Sequence, residues 1–219
     1  AIADGAEALA LLKILQENNR DILFIARDDK RMSRLMESLR FFSPDIDIMS
    51  FPAWDCLPYD RVSPNKNIMS RRIVTLSRLA AQKQNKNNNN KQPHKIILTT
   101  VNAAIQKIPK LEILENSVMS AKPGDKISRD TLANFLVHNG YINVGKVVEP
   151  GEYAMRGSII DIFPPGTDDN EAYRLDFFGD TLETIRIFSP LTQVSGKHCQ
   201  HMILVPASEI LLNDKTITY

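Results

Sequence analysis

"YRLDFFGDTLETIRIF", Tyr173 to Phe188, decides how the second half of the chain folds. Two alternating runs flank Gly179-Asp180, and glycine followed by a small polar residue suits the two-residue II′ turn of a β-hairpin. That turn sets Phe178 opposite Thr181 and Phe177 opposite Leu182. A ladder continued without interruption then sets Asp176 against Glu183, Leu175 against Thr184 and Arg174 against Ile185. Neighbours along a strand point to opposite faces. Tyr173, Leu175, Phe177 and Leu182 therefore make an apolar face. Arg174, Asp176, Phe178, Thr181 and Glu183 make a polar one that holds a single aromatic ring. Asp176 across from Glu183 is unfavourable unless a cation lies beside them, either Arg174 or a group from a partner. A lone exposed aromatic is common on protein surfaces. An aromatic beside arginine is also the pairing that dominates protein–protein interfaces. On composition alone the first reading is preferred.

Outward from the hairpin the pattern stays antiparallel. "GSIIDIF" reads as a strand closed by Pro164-Pro165-Gly166. "VVEPGEY" carries Pro150-Gly151 at the centre of a type II turn. "SRDTLANFLVHNG" reads as a helix, with Ser128 as N-cap, Gly140 as the C-terminal stop and Leu132, Phe135 and Leu136 as its apolar stripe. Residues 115–195 are thus expected to form a small antiparallel α+β domain. Before them, strands alternate with helices. "DILFIA" (Asp21 to Ala26), "DIDIMSF" (Asp45 to Phe51) and "KIILTT" (Lys95 to Thr100) are strands. Helical spacing marks Leu9 to Leu15, Met32 to Leu39, Ile68 to Ala81 and the short "VNAAIQKI". Residues 1–114 are therefore expected to be an α/β domain, a parallel sheet with helices on both faces. "MILVPASEI" (Met202 to Ile210) reads as an apolar run leading into a helix, so residues 196–219 are expected to return to the first domain. "QKQNKNNNNKQPHK" (Gln82 to Lys95) is too polar to offset its ordering entropy and is expected as a surface insertion.

The 219 residues are 43% hydrophobic and 24% charged, enough apolar material for a sizeable core. The net charge of +1 creates no global field toward nucleic acid or anionic membrane. Cys56 and Cys199, with scattered His94, His138, His198 and His201, have no metal-binding spacing and no disulfide framework, so no metal is expected and a reducing cytoplasm is the simplest setting. No apolar run is long enough for a membrane helix. The opening residues read as a helix already under way, without the basic region of a signal peptide.

Catalytic motifs are not found. Around Gly5, "ADGAEALALLK" lacks the Lys-Ser or Lys-Thr pair of a phosphate-binding loop, and Glu7 would repel a phosphate. There is no GxGxxG and no Ser/His/Asp spacing; Asp168-Asp169 read as solvated turn residues. No cofactor is expected. "FPAWDCLPYDRVSP" mixes Trp54 and Tyr59 with Arg61, a combination able to stack on single-stranded nucleic acid. A rigid loop packing its aromatics over the sheet edge explains the same residues and is preferred.

Two segments carry a family resemblance. "FPAWDCLPYDRVSP" with "SRRIVTLSRL" resembles the N-terminal part of the bacterial transcription-repair coupling factors (Mfd). "GEYAMRGSIIDIFPPG" with "YRLDFFGDTLETIRIFSPLTQ" resembles the module these factors share with the excision-repair protein UvrB. The resemblance implies a degenerate, P-loop-like first domain that does not hydrolyse ATP, and an inserted small domain that docks onto UvrA. It implies contacts at Arg156, Arg174 and Phe178, with Asp176 beside them. RNA polymerase and DNA would be bound by regions outside this chain, in a parent that is an ATP-dependent DNA translocase. The alternative is a UvrB-type subunit that binds nucleotide and DNA itself. One feature resists: strand parity counted along the sequence places Arg156 with Ile160 and Ile162 rather than with Asp161, unless Gly157 hosts a bulge.

Overall fold

The computed structural model describes residues 5–18, 20–57, 61, 64–85, 94–115, 117–167 and 171–209. The chain divides into two compact units, one reaching to Thr75 and resuming over Gln82–Ile108, the other comprising Leu76–Ala81 and the chain from Pro109 onward.

The first unit is built on three parallel strands, β1 (Ile22–Ala26), β2 (Asp47–Phe51) and β3 (Lys95–Thr100), in the order β1-β3-β2. Helices α1 (Ala6–Asn18) and α2 (Asp29–Phe42) cover one face. Ala8 from α1 and Met32, Leu35 and Leu39 from α2 pack on Ile96 and Leu98 of β3. On the opposite face of β1, Leu23 and Ile25 remain 61% and 49% exposed. Helix α3 (Lys66–Asn85) is tied to β2 through Thr75, whose hydroxyl donates to the Ser50 carbonyl at 2.8 Å.

One expectation changes in this unit. Helix α3 continues to Asn85 and β3 starts at Lys95, so the polar segment expected as a loop over 82–95 loses both ends to regular structure. Lys95 is buried, with its ammonium 3.7 Å from Asp21. Residues 86–93 lie outside the described ones. The loop after β2 behaves as the packed-loop reading requires. Arg72 is fully buried, with its guanidinium 4.2 Å from the Phe51 ring centroid and 5.4 Å from that of Trp54. It donates to the Pro52 carbonyl at 2.8 Å and to Gln106 at 2.9 Å. Trp54 is thus an internal partner of a buried cation. Tyr59 lies outside the described residues.

The second unit follows helix α4 (Val101–Ala104) of the first and begins with α5 (Leu111–Glu115) and β4 (Met119–Ala121). Helix α6 (Arg129–His138) precedes a six-stranded sheet of β5 (Ile142–Asn143), β6 (Glu152–Arg156), β7 (Ile159–Phe163), β8 (Ala172–Phe178), β9 (Thr181–Phe188) and β10 (Ser195–His198). The strands pair in sequence order, antiparallel except β5 beside β6. Leu132 and Leu136 of α6 pack on one sheet face, against Tyr153, Ile160, Ile162, Leu175, Phe177, Leu182 and Ile185. The last strand, β11 (Met202–Leu204), pairs antiparallel with β4. The expected boundary at residue 195 therefore falls inside β10. The described residues after it stay with the second unit, because Met202 and Leu204 bury their side chains in its core.

Local geometry follows the chain chemistry closely here. Gly157 and Gly179 sit at φ 59° and 60°, the first position of a II′ turn, where a Cβ is strained. Gly151 has φ 85°, and the Glu152 amide donates to the Glu149 carbonyl at 3.2 Å, closing the type II turn. Ser128 caps α6 by accepting from the Thr131 amide at 3.1 Å. At its other end Tyr141 N–H donates to the Leu136 carbonyl and Gly140 N–H to that of Val137, a Schellman closure with Gly140 at φ 79°. Among the described residues no helix is long and apolar enough to cross a membrane.

Gly140→Ala should destabilise the second unit by about 1–2 kcal/mol in denaturant titrations, since its backbone is left-handed, and an added Cβ would also lie 2.8 Å from the Ser208 Cβ. Tyr141 offers a pH test. Its hydroxyl donates to the Val205 carbonyl at 2.7 Å, and burial pushes its phenol well above the ordinary tyrosine range. The unfolded phenol ionises near pH ~10 and the folded one only above that. Stability should therefore fall as pH rises past about 10, and Tyr141→Phe should flatten that fall in alkaline melts.

Candidate protein-docking face

The sheet face turned away from α6 is not uniform. At one end Val147, Ala154, Phe163, Ala172 and Phe188 form a small apolar cluster. Its middle is occupied by a buried carboxylate. Asp161, 1% exposed, lies at the centre of β7, opposite Ala154 on β6 and Arg174 on β8. Arg174 meets it with both edges of its fork, Nε to Oδ1 at 2.7 Å and Nη2 to Oδ2 at 2.9 Å. Its Nη1 donates to Ser195 Oγ at 2.9 Å and to the Gln193 carbonyl at 3.3 Å. The guanidinium also stacks 4.6 Å from the Phe188 ring centroid. The hydrogen bond to Asp161 holds the guanidinium even more firmly protonated than usual. Gln193 supplies its carbonyl from a left-handed backbone, φ 64°, and its side chain donates to the Val147 and Pro190 carbonyls.

Arg156 reaches the same carboxylate from the other side, its Nη2 3.6 Å from Asp161 Oδ2, with 51% of its side chain exposed. The parity objection is thereby removed. The Gly157-Ser158 turn pairs Arg156 with Ile159 and Ala154 with Asp161, so the count reverses across the turn and no bulge is needed at Gly157. Parity holds along one strand, and a two-residue turn changes which numbers share a face.

The far end of the face belongs to Phe178. The II′ turn pairs it with Thr181, and Phe177 with Leu182, as expected. Beyond that the expected ladder is displaced by one residue. A bulge at Glu183 sets Asp176 opposite Thr184, Leu175 opposite Ile185 and Arg174 opposite Arg186. Asp176 and Glu183 do not face each other, and the like-charge conflict does not arise. The apolar pattern could have disclosed this: Leu182 and Ile185 both enter the core, three residues apart, which strict alternation forbids. Phe178 is 77% exposed, Ile159 beside it 36%. Lys126 bridges to Thr181 and so lines the same end. Arg129 donates to the Gly157 carbonyl at 2.8 Å.

The four expected site residues thus share one face but differ in kind. Phe178 and Arg156 are presented to solvent. Asp176 is half-buried between Ile159 and Thr184. Arg174 is an internal tie, its side chain 21% exposed. Asp161, Gln193 and Ser195 were not among the expected residues. Only Asp161 left a signal, as a charge in the middle of the apolar run "IIDIF". The arrangement has no nucleophile or acid–base pair. It is a sheet surface that presents one exposed ring, Phe178, and one half-exposed guanidinium, Arg156.

Comparison with known families agrees. Residues 119–210, which lie in the second unit, match the family described as the UvrB interaction domain. Over most of its length the chain is homologous to transcription-repair-coupling factors. It is 32% identical over 204 residues to that of Rickettsia bellii, covering 93% of this chain and 17% of that protein. It is 33% identical over 218 residues to that of Haemophilus influenzae, covering 100% and 18%. With that of Escherichia coli it shares 30% over 208 residues, covering 95% and 17%. The chain spans less than a fifth of the length of these relatives.

The difference in kind is measurable without any partner. Arg174→Ala strands a buried carboxylate and should lower unfolding free energy by about 3–5 kcal/mol. Phe178→Ala, on an exposed ring, should change it by less than about 0.5 kcal/mol. Thermal and urea unfolding of the two variants checks the contrast.

Proposed function

We propose that this chain is a non-catalytic recruiting module of nucleotide excision repair whose second unit docks onto UvrA. The observation that carries the reading is Phe178, a large ring left 77% exposed on an otherwise well-packed sheet and aligned with Arg156. Aromatic and arginine side chains held in place before binding lose little entropy on association, which is how hot spots gain their energy. Arg174 contributes mainly by fixing Asp161 and through it Arg156, with Asp176 at the rim. The family name and the relatives' names support the same setting, coupling of transcription to repair. Contacts with RNA polymerase and DNA, and the ATP-driven activity of a full-length parent, are assigned to the parts of such proteins that this chain does not span. The cytoplasm is the compartment that this role requires.

The first unit fits a degenerate nucleotide-binding fold. At the end of β1, a cleft of about 490 Å³ is lined by Glu7, Arg27, Asp28 and Arg31 among others. Glu7 is paired with Arg31. Asp28 caps α2, accepting from the Arg31 amide at 2.8 Å and from Arg27 Nε at 3.0 Å. Those contacts hold the Asp28 carboxyl below the ordinary range and keep it ionised. An incoming phosphate would meet two carboxylates already occupying the arginines. This weighs against the alternative of an ATP-binding subunit of the UvrB type.

Calorimetric titration against UvrA tests the docking reading. Phe178→Ala should weaken binding by about 2 kcal/mol or more, roughly 30-fold. Arg156→Ala should weaken it less, with a reduced dependence on salt. Wild-type affinity in both variants sinks the proposed face.

A further inference from the structure

Arg186 lies on the same face, on β9 between β8 and the edge strand β10. The ladder sets it directly opposite Arg174 on β8 and opposite His198 on β10. Two guanidiniums abreast repel each other, and the oxygens of Asp161 are already engaged by Arg174 and Arg156. Arg186 Nε is sealed from solvent with no hydrogen-bond partner among the described residues. So is the hydroxyl of Thr184, two residues back along β9 and on the same face. Buried donors without acceptors are rare in folded proteins. Two of them side by side on a face that also presents Arg156 and Phe178 describe a place for an acceptor from outside.

The charge on this face points to which acceptor. The ladder brings Arg156, Arg174 and Arg186 onto it, against Asp161, Asp176 and Glu152, and the Glu152 carboxylate already accepts from the Val148 and Glu149 amides. Asp161 is buried and already shared by Arg174 and Arg156. A carboxylate supplies lone pairs for a guanidinium and a hydroxyl at once, and arginine pairs with it through two parallel bonds. A partner cation would instead meet the adjacent guanidiniums of Arg186 and Arg174.

We propose that Arg186 and Thr184 form a notch that receives an aspartate or glutamate side chain of the partner protein. Arg186 is half-buried, and a rotation of its side chain brings the Nε–Nη edge to the incoming carboxylate while the Thr184 hydroxyl donates to the second oxygen. The proposal rests on the docking reading and adds the chemistry of the partner: an acidic side chain seated one ladder step from an apolar pocket for Phe178.

The test uses the full chain and UvrA, titrated at several salt concentrations, with Phe178→Ala as the reference variant. Arg186→Gln is expected to weaken binding at least 10-fold and to flatten the salt dependence. Thr184→Val, which keeps the shape, is expected to weaken it several-fold with unchanged melting temperature. Loss of binding in Phe178→Ala alone, with Arg186→Gln and Thr184→Val at wild-type affinity and salt slope, overturns the notch and leaves the docking face standing. Wild-type affinity in all three overturns both. If Arg186→Gln does not fold, Thr184→Val decides on its own: unchanged affinity overturns the notch, and a several-fold loss supports it.

Discussion

A single carboxylate inside a sheet organises the second unit. Asp161 occupies the middle of the central strand pair β7–β8, where it is 1% exposed. A charge in that position is tolerable only when it is paired and hydrogen-bonded. Arg174 answers with a bidentate fork, and everything that then steadies Arg174 is drawn inward. The chain after β9 bends back so that the Gln193 carbonyl and Ser195 hydroxyl can receive Nη1. The ring of Phe188 closes over the guanidinium. Loop 189–194 and edge strand β10 are therefore positioned by one ion pair as much as by the ladder. A register slip of one residue between β7 and β8 would place the two charges on opposite faces of the sheet, so the pair also specifies the pairing.

That pair divides the face in two. On one side lies a closed apolar cluster, on the other an open region ending at Phe178. The bulge at Glu183 separates what β9 does in its two halves. Its later residues pair with β10. Near the turn, segment 124–127 takes over: the Gly124 amide donates to the Leu182 carbonyl and that of Ile127 to the Asp180 carbonyl. The hairpin tip is thus supported from both flanks, by β7 and by this segment. A tip so held keeps the Phe178 ring at a defined place, which a free two-stranded hairpin would not do.

Much of this was legible in the chain itself. The II′ turn at Gly179-Asp180, the type II turn at Pro150-Gly151 and both ends of α6 follow from glycine, proline and serine chemistry, and they stand as expected. Local rules succeed where a backbone conformation has one cheap residue. They falter where distant residues decide. The Glu183 bulge depends on which of Leu182, Thr184 and Ile185 find core partners, so the uninterrupted ladder misplaced everything beyond it. Parity counted straight through the Gly157-Ser158 turn conflicts with the place the resemblance implies for Arg156, and the pairing of Arg156 with Ile159 resolves it. The return to the first domain at residue 196 was read from an apolar run, and apolar runs do not name their partners; β4 was the one available. The hairpin pattern places Arg174 on this face, but whether an arginine points outward or is spent on a buried acid depends on Asp161, Gln193 and Ser195 together.

The two arginines show why that distinction matters for function. Arg174 and Arg156 converge on the same carboxylate, yet only Arg156 keeps half of its side chain exposed. A residue that is satisfied internally has little left to give a partner, whereas one held at 3.6 Å from its counter-charge is oriented without being used up. Asp161 therefore acts as a shared anchor: it consumes one guanidinium and aims the other. Phe178 needs no such anchor, since the turn and its flanking strands already fix its Cα and only one rotatable ring remains. A face of this construction keeps its stability in the buried pair and leaves Phe178 and Arg156 exposed, so the two sets of side chains can be altered separately.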